Sequence, residues 1–150
     1  QQVSSAASDV YKRQYKLCND NLLESYSTKT VSNYIKHFDL YELDLAANEL
    51  LELAIKTNLY LNDKQPWILI KDNINISQVS NIIYNVLEST RIIGLLLLPL
   101  LPDLSRKIDY QLGSLYMEEK SWNEQLDWGQ LKQESILPAP TPIINKLEYE

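Results

Sequence analysis

Apolar residues along this chain recur at intervals of three and four, the repeat that brings side chains onto one face of an α-helix. Leu23, Tyr26, Thr30, Tyr34 and Phe38 follow it and predict a first helix over about residues 20 to 37, through a Ser/Thr-rich stretch from Ser25 to Ser32. The next stripe is plainer: Leu43, Ala46, Ala47, Leu50, Leu51, Ala54 and Leu61 align, while Glu42, Asp44, Glu49, Glu52 and Lys56 lie off the line. Asp39 with Glu42 three residues on has capping-box spacing, so the second helix is expected from about Leu40 to Leu61. Asn58 falls four residues after Ala54, which places its amide on or beside the buried stripe, where it needs a hydrogen-bond partner. Pro66 prevents continuation, and Trp67-Ile68-Leu69-Ile70 reads as a short apolar stretch.

A third helix is predicted from near Ser77, with Val79, Ile82, Ile83, Val86, Thr90, Ile93 and Leu97 facing inward. Its last turns are apolar on nearly every side, which puts this helix at the centre with the others packed around it. Pro99 and Pro102 end it. Leu104, Ile108 and Leu112 then line a short fourth helix, with Gly113 placed to cap its C-terminus. From Ser114 the periodicity fades; Trp122, Leu126, Trp128 and Leu131 are spaced like anchors on an irregular segment, and Pro138 to Pro142 favour an extended conformation. The expected fold is all-α: a bundle of four main helices over residues 15–113, followed by an irregular C-terminal tail, residues 114–150, that packs back on the bundle or on a larger body.

Residues 4–14 look like translated sequencing adapter, and residues 1–14 are set aside as non-native; they lack the continuous apolar core of a secretory signal. With 45% apolar and 23% charged residues, the composition is that of one ordinary globular domain. The balance is acidic, 14 basic against 20 acidic residues and a net charge of −6. Phosphate neutralisation supplies most non-specific nucleic-acid affinity, so any RNA contact here has to be local and directed at bases, and DNA is not an expected partner. A single cysteine, Cys18, excludes an internal disulfide and fits a reducing, cytoplasmic setting. The longest apolar run, Ile92 to Leu101, is about half the ~20 residues of a membrane span, and Glu88 and Arg91 precede it, so a buried helix is expected and no membrane partner.

Catalytic patterns are missing. His37 and Cys18 are each the only residue of their kind, so no Cys/His zinc cluster and no nucleophile–histidine dyad can be assembled. His37 near a helix end reads as a surface residue compatible with the helix dipole. Glycines occur only at positions 94, 113 and 129, too few for a phosphate-binding loop, and Glu118-Glu119 and the Glu148/Glu150 pair read as solvated carboxylates. No catalytic residue, metal ligand or cofactor is expected in this segment.

Trp67 remains. Taken alone, an indole beside Pro and three aliphatic residues is more often core than ligand-facing. However, Asn58 and Pro66-Trp67, then Leu97-Leu98-Pro99-Leu100-Leu101-Pro102 and Gln111-Leu112-Gly113 at their mutual distances, resemble the anticodon-binding helical domain of the methionyl-tRNA synthetase family. The likeness runs from about Leu22 to the C-terminus and is strongest from Asn58 to Gly113. The tail, from Trp122 to Trp128-Gly129, then Leu131 and Pro142 to Glu148, resembles the family segment that turns back towards the catalytic body, here read as hydrophobic anchoring without ligand contact.

The resemblance implies that Trp67 stacks on the first anticodon base, that Pro66 precedes it as in the family, and that Asn58 shapes the pocket; Asn62 aligns with a position that is acidic in some members. Stacking contributes about 1 to 3 kcal/mol per base without identifying the base, because every base has a π-face. Specificity therefore needs amides or backbone groups aimed at the edge of a splayed base. The partners implied are a tRNA anticodon loop and the catalytic domain of the same parent chain, which would use ATP and Mg to join methionine to tRNA. The family's Asn-x-x-x-Arg pair does not occur between Tyr15 and Gly113, and the motifs of the catalytic half are absent, so this segment would not activate methionine. Two alternatives stay open: the related domain of the leucine, isoleucine, valine or cysteine enzyme, and a helical interaction module that docks through Trp122, Trp128 and the Pro-rich tail.

Overall fold

The computed structural model describes residues 20–72, 75–113, 120–131 and 137–144. Among them the chain is all-α: α1 (Leu22–Asp39), α2 (Leu43–Lys64), the short α3 (Pro66–Leu69) with a 3-10 turn (Ile70–Asp72), α4 (Ile76–Leu97), α5 (Pro102–Gln111) and the short α6 (Trp122–Gln125). The adapter-like segment, Cys18, Glu118-Glu119, Glu148, Glu150 and the end of the tail lie outside the described residues. No helix among those described is long and apolar enough to cross a membrane.

The α1–α2 junction departs from expectation. Asp39 does not cap α2, because α1 continues helically through it, and the chain reverses at Tyr41 with φ +60°. Glu42 is the residue before α2, and its carboxylate meets His37 Nδ1 at 2.7 Å, so the expected capping box is replaced by a cross-turn pair. His37 is thereby engaged and mostly covered.

On α1 the expected face holds, with Leu23, Thr30 and Tyr34 buried and Tyr26 and Phe38 partly so. On α2 the inward row is rotated: Ala46, Leu50, Leu53, Thr57 and Tyr60 are buried, while Leu43, Ala47 and Leu51 face out. This helix carries apolar residues on two adjacent rows, and α1 and α4 pack on only one of them. The other row, Leu51, Ile55 and Leu59, is left 57, 51 and 60% exposed.

The all-round apolar end of α4 is central, as its sequence implies: every residue from Arg91 to Leu97 is buried, and α1, α2, α3 and α5 contact this helix. Ile83, expected inside, is exposed. Backbone and hydroxyl groups knit the bundle where apolar packing alone would not fix orientation. Tyr34 donates its hydroxyl to the Leu96 carbonyl at 2.8 Å, Ser105 donates to the Gly94 carbonyl at 2.6 Å, and Thr57 and Ser89 hydroxyls pair at 2.7 Å.

Glu88 is fully buried against Arg91, with a closest N–O distance of 2.6 Å. Its carboxylate accepts from the backbone N–H groups of Gly129 (2.7 Å), Gln130 (2.9 Å) and Leu131 (3.0 Å). Arg91 donates to the carbonyls of Gln125 and Asp127. Gly129 has φ +91°, a conformation that costs glycine little and allows three successive amides to converge. Trp122, next to a Ser121–Glu124 capping box, donates its indole N–H to the Leu95 carbonyl at 3.0 Å, and Leu126 and Leu131 are buried. Further on, Gln111 pairs with the backbone N–H and hydroxyl of Thr141.

Candidate nucleic-acid interface

Helix α2 ends because Gln65 adopts a left-handed conformation, φ 45° and ψ 57°, while its N–H bonds the Leu61 carbonyl at 3.1 Å. Pro66 then occupies the first position of α3, where a missing N–H leaves no hydrogen bond unmade and a fixed φ favours the turn. The Gln65 carbonyl accepts from Ile68 N (2.9 Å) and Leu69 N (3.4 Å). The expected apolar stretch after Pro66 is thus one helical turn. Pro66 is buried and Leu69 packs on a small cluster of Leu23, Tyr60 and Ile82.

Trp67 lies between these two anchors and faces out, 49% exposed. Its neighbours Ile68 and Ile70 are also open, so the turn presents a compact apolar surface. Cavities of about 500 and 350 Å³ lie elsewhere, the second lined by Ile35, Phe38, Asp39, Leu98, Pro99 and Trp122. Trp67 stands on open surface and belongs to neither.

Asn58 is exposed, not on or beside the buried stripe, because Thr57 and Tyr60 take the inward positions around it. Asn62, one helical turn later on the same face, is exposed too. Neither amide has a hydrogen-bond partner among the described residues, so both keep donor and acceptor groups available to solvent or ligand. The structure therefore joins Pro66 and Trp67 in one turn and places Asn58 and Asn62 on the adjoining helix face, with no hydrogen bond linking the two pairs.

Sequence reasoning missed what lies beneath that turn. Asp20, just ahead of α1, meets Lys64 Nζ at 2.8 Å and accepts from the Tyr60 hydroxyl at 2.9 Å. Asn85 of α4 donates to the Tyr60 hydroxyl and to the Asp20 carbonyl, each at 3.3 Å. Partial burial alone would raise the Asp20 carboxyl, but hydrogen bonds from Lys64 and Tyr60 and the Lys64 charge hold it below its ordinary value. A signal existed: Tyr60 and Lys64 are one turn apart, and Asn85 lies on the inward side of α4. Of the lysines near the turn, Lys56 pairs with Glu52 at 3.6 Å and lies over the Tyr26 ring, and Lys64 is held by Asp20. Among the described residues this leaves the exposed Lys71 of the 3-10 turn as the unpaired cation beside a largely apolar surface. Such a surface suits stacking on a base better than gripping phosphates.

A family model described as the anticodon binding domain of methionyl tRNA ligase matches residues 13–150. Among curated proteins, the methionine–tRNA ligases of Lactococcus lactis and Bacillus subtilis are each 32% identical, over 132 and 131 residues, covering 87% of this chain and 20% of theirs. That of Thermotoga maritima is 32% identical over 130 residues, covering 86% of this chain and 20% of its own. The chain thus spans about a fifth of the length of these relatives. Among solved structures, apo Mycobacterium tuberculosis methionyl-tRNA synthetase superposes with a TM-score of 0.76 at 22% identity, covering 95% of this chain and 32% of that one, a likeness of fold.

Proposed function

Because the chain belongs to the anticodon-binding domain family of methionyl-tRNA ligases, we propose that it reads the anticodon loop of methionine tRNA with Trp67 as its stacking platform. Trp67 offers an open ring to an unpaired base, Pro66 holds the turn that presents it, and the free amides of Asn58 and Asn62 supply edge contacts that stacking cannot. The parent ligase, in this reading, is cytoplasmic and attaches methionine to tRNA in a separate catalytic domain that uses ATP and Mg. In the same reading the tail, residues 114–150, packs back on the bundle, residues 15–113, or on that catalytic body.

The observation that carries the proposal is the half-exposed indole on a Pro-anchored turn, in a chain of this family. Trp122, by contrast, has its indole N–H committed to Leu95, which weighs against docking of a protein partner through the tail. Trp67→Ala in the complete ligase is expected to lower tRNA charging by about 5- to 100-fold, the loss of one stacked base, while methionine activation without tRNA stays near its original rate. Equal loss in both assays would assign the residue to folding.

A further inference from the structure

We propose that Asp20, Tyr60, Lys64 and Asn85 form a clamp that positions the Trp67 turn for the anticodon, making Asp20 and Lys64 positioning residues for RNA binding. The inference rests on the stacking role of Trp67 and extends it to residues that touch no RNA. Three elements meet at the clamp: the residue leading into α1, the last turn of α2, and the middle of α4. Tyr60 is almost fully buried, and its hydroxyl takes part in both the Asp20 and the Asn85 contacts. Lys64 is the last residue of α2, immediately before the left-handed Gln65 that redirects the chain into Pro66 and Trp67.

Beyond that junction the turn is held by the Gln65 carbonyl bonds to Ile68 and Leu69, by the Ile70 N–H bond to the Pro66 carbonyl, and by the anchors Pro66 and Leu69. A short helical turn cannot sustain itself, since helix nucleation is unfavourable without tertiary support. Fixing the Lys64 end therefore fixes the direction in which the indole points. A free lysine at this place would attract phosphate directly; a lysine locked to Asp20 serves the turn instead.

The test uses the full chain and an RNA hairpin carrying the methionine anticodon. Asp20→Asn and Lys64→Met should each weaken hairpin binding by about 3- to 10-fold, the scale of coupling between contacting groups, and Lys64→Arg should retain binding. In a Trp67→Ala background, Lys64→Met should cost nothing further. Amide hydrogen exchange at Ile68 and Leu69 should quicken in Asp20→Asn and Lys64→Met. Unchanged exchange there would overturn the clamp regardless of RNA. Tighter hairpin binding by Asp20→Asn, or an undiminished Lys64→Met loss without the indole, would overturn it in favour of direct phosphate contact. If Trp67→Ala alone leaves affinity unchanged, the stacking reading fails first, and faster exchange in the clamp variants would still support their hold on the turn.

Discussion

The hydroxyl of Tyr34 lies inside the bundle, donating to the Leu96 carbonyl, and burial pushes its pKa up to about 12. Ionisation would remove that donor and place a charge among apolar side chains. The folded state holds the proton more tightly than the unfolded chain, where tyrosine titrates near ~10. Stability from this group is therefore fully present below about 10 and is lost as pH rises towards about 12. Urea unfolding across that window should reveal a falling midpoint for the native chain and a shallower fall for Tyr34→Phe. At the same scale, Glu88 and Arg91 entered the sequence reading only as the charges that precede the apolar run from Ile92 to Leu101. Their placement is legible only in three dimensions, because Glu88's partners lie 41 to 43 positions away at Gly129, Gln130 and Leu131. No local pattern records that convergence.

At the scale of elements, α2 separates what periodicity can and cannot decide. Its helical repeat is unmistakable, yet Leu50 and Leu53 point inward while Leu51 and Ile55 do not. Two apolar rows satisfy the same pattern, and the choice is made by α1 and α4 packing against one side. Leu53, with no exposed surface, should lose about 2 to 5 kcal/mol of stability on replacement by Ala; Leu51→Ala should stay within about 0.5 kcal/mol. Thermal or urea unfolding of the two variants checks the row directly, and similar losses would contradict it. The misplacement of Asn58 has the same origin, since rotating the row moves its amide from the buried edge to the surface. The end of α4 escaped this ambiguity because it is apolar all round. The capping box at Asp39 failed for another reason: the left-handed Tyr41 lets α1 run on through Asp39.

For the whole molecule, an acidic chain with an open indole predicts how RNA binding responds to salt. Each phosphate neutralised on a single strand adds about −0.7 to the slope of log affinity against log salt, so a base-directed interface should give a slope no steeper than about −2. Titrating the anticodon hairpin from low to high salt measures it; a much steeper slope would mean that phosphates, not bases, dominate. The sequence by itself determined that the chain is a helical bundle with α4 at its centre, and its Pro-Trp and Leu-Pro successions pointed to the right family, because helical periodicity and helix-ending residues are local properties. Tertiary structure alone decided which row of α2 is buried, that Trp67 stands open, and that Glu88 and the Asp20 cluster tie distant segments together. Burial and hydrogen-bond pairing depend on what packs opposite a residue, and that is set by chain reversals no single helix encodes.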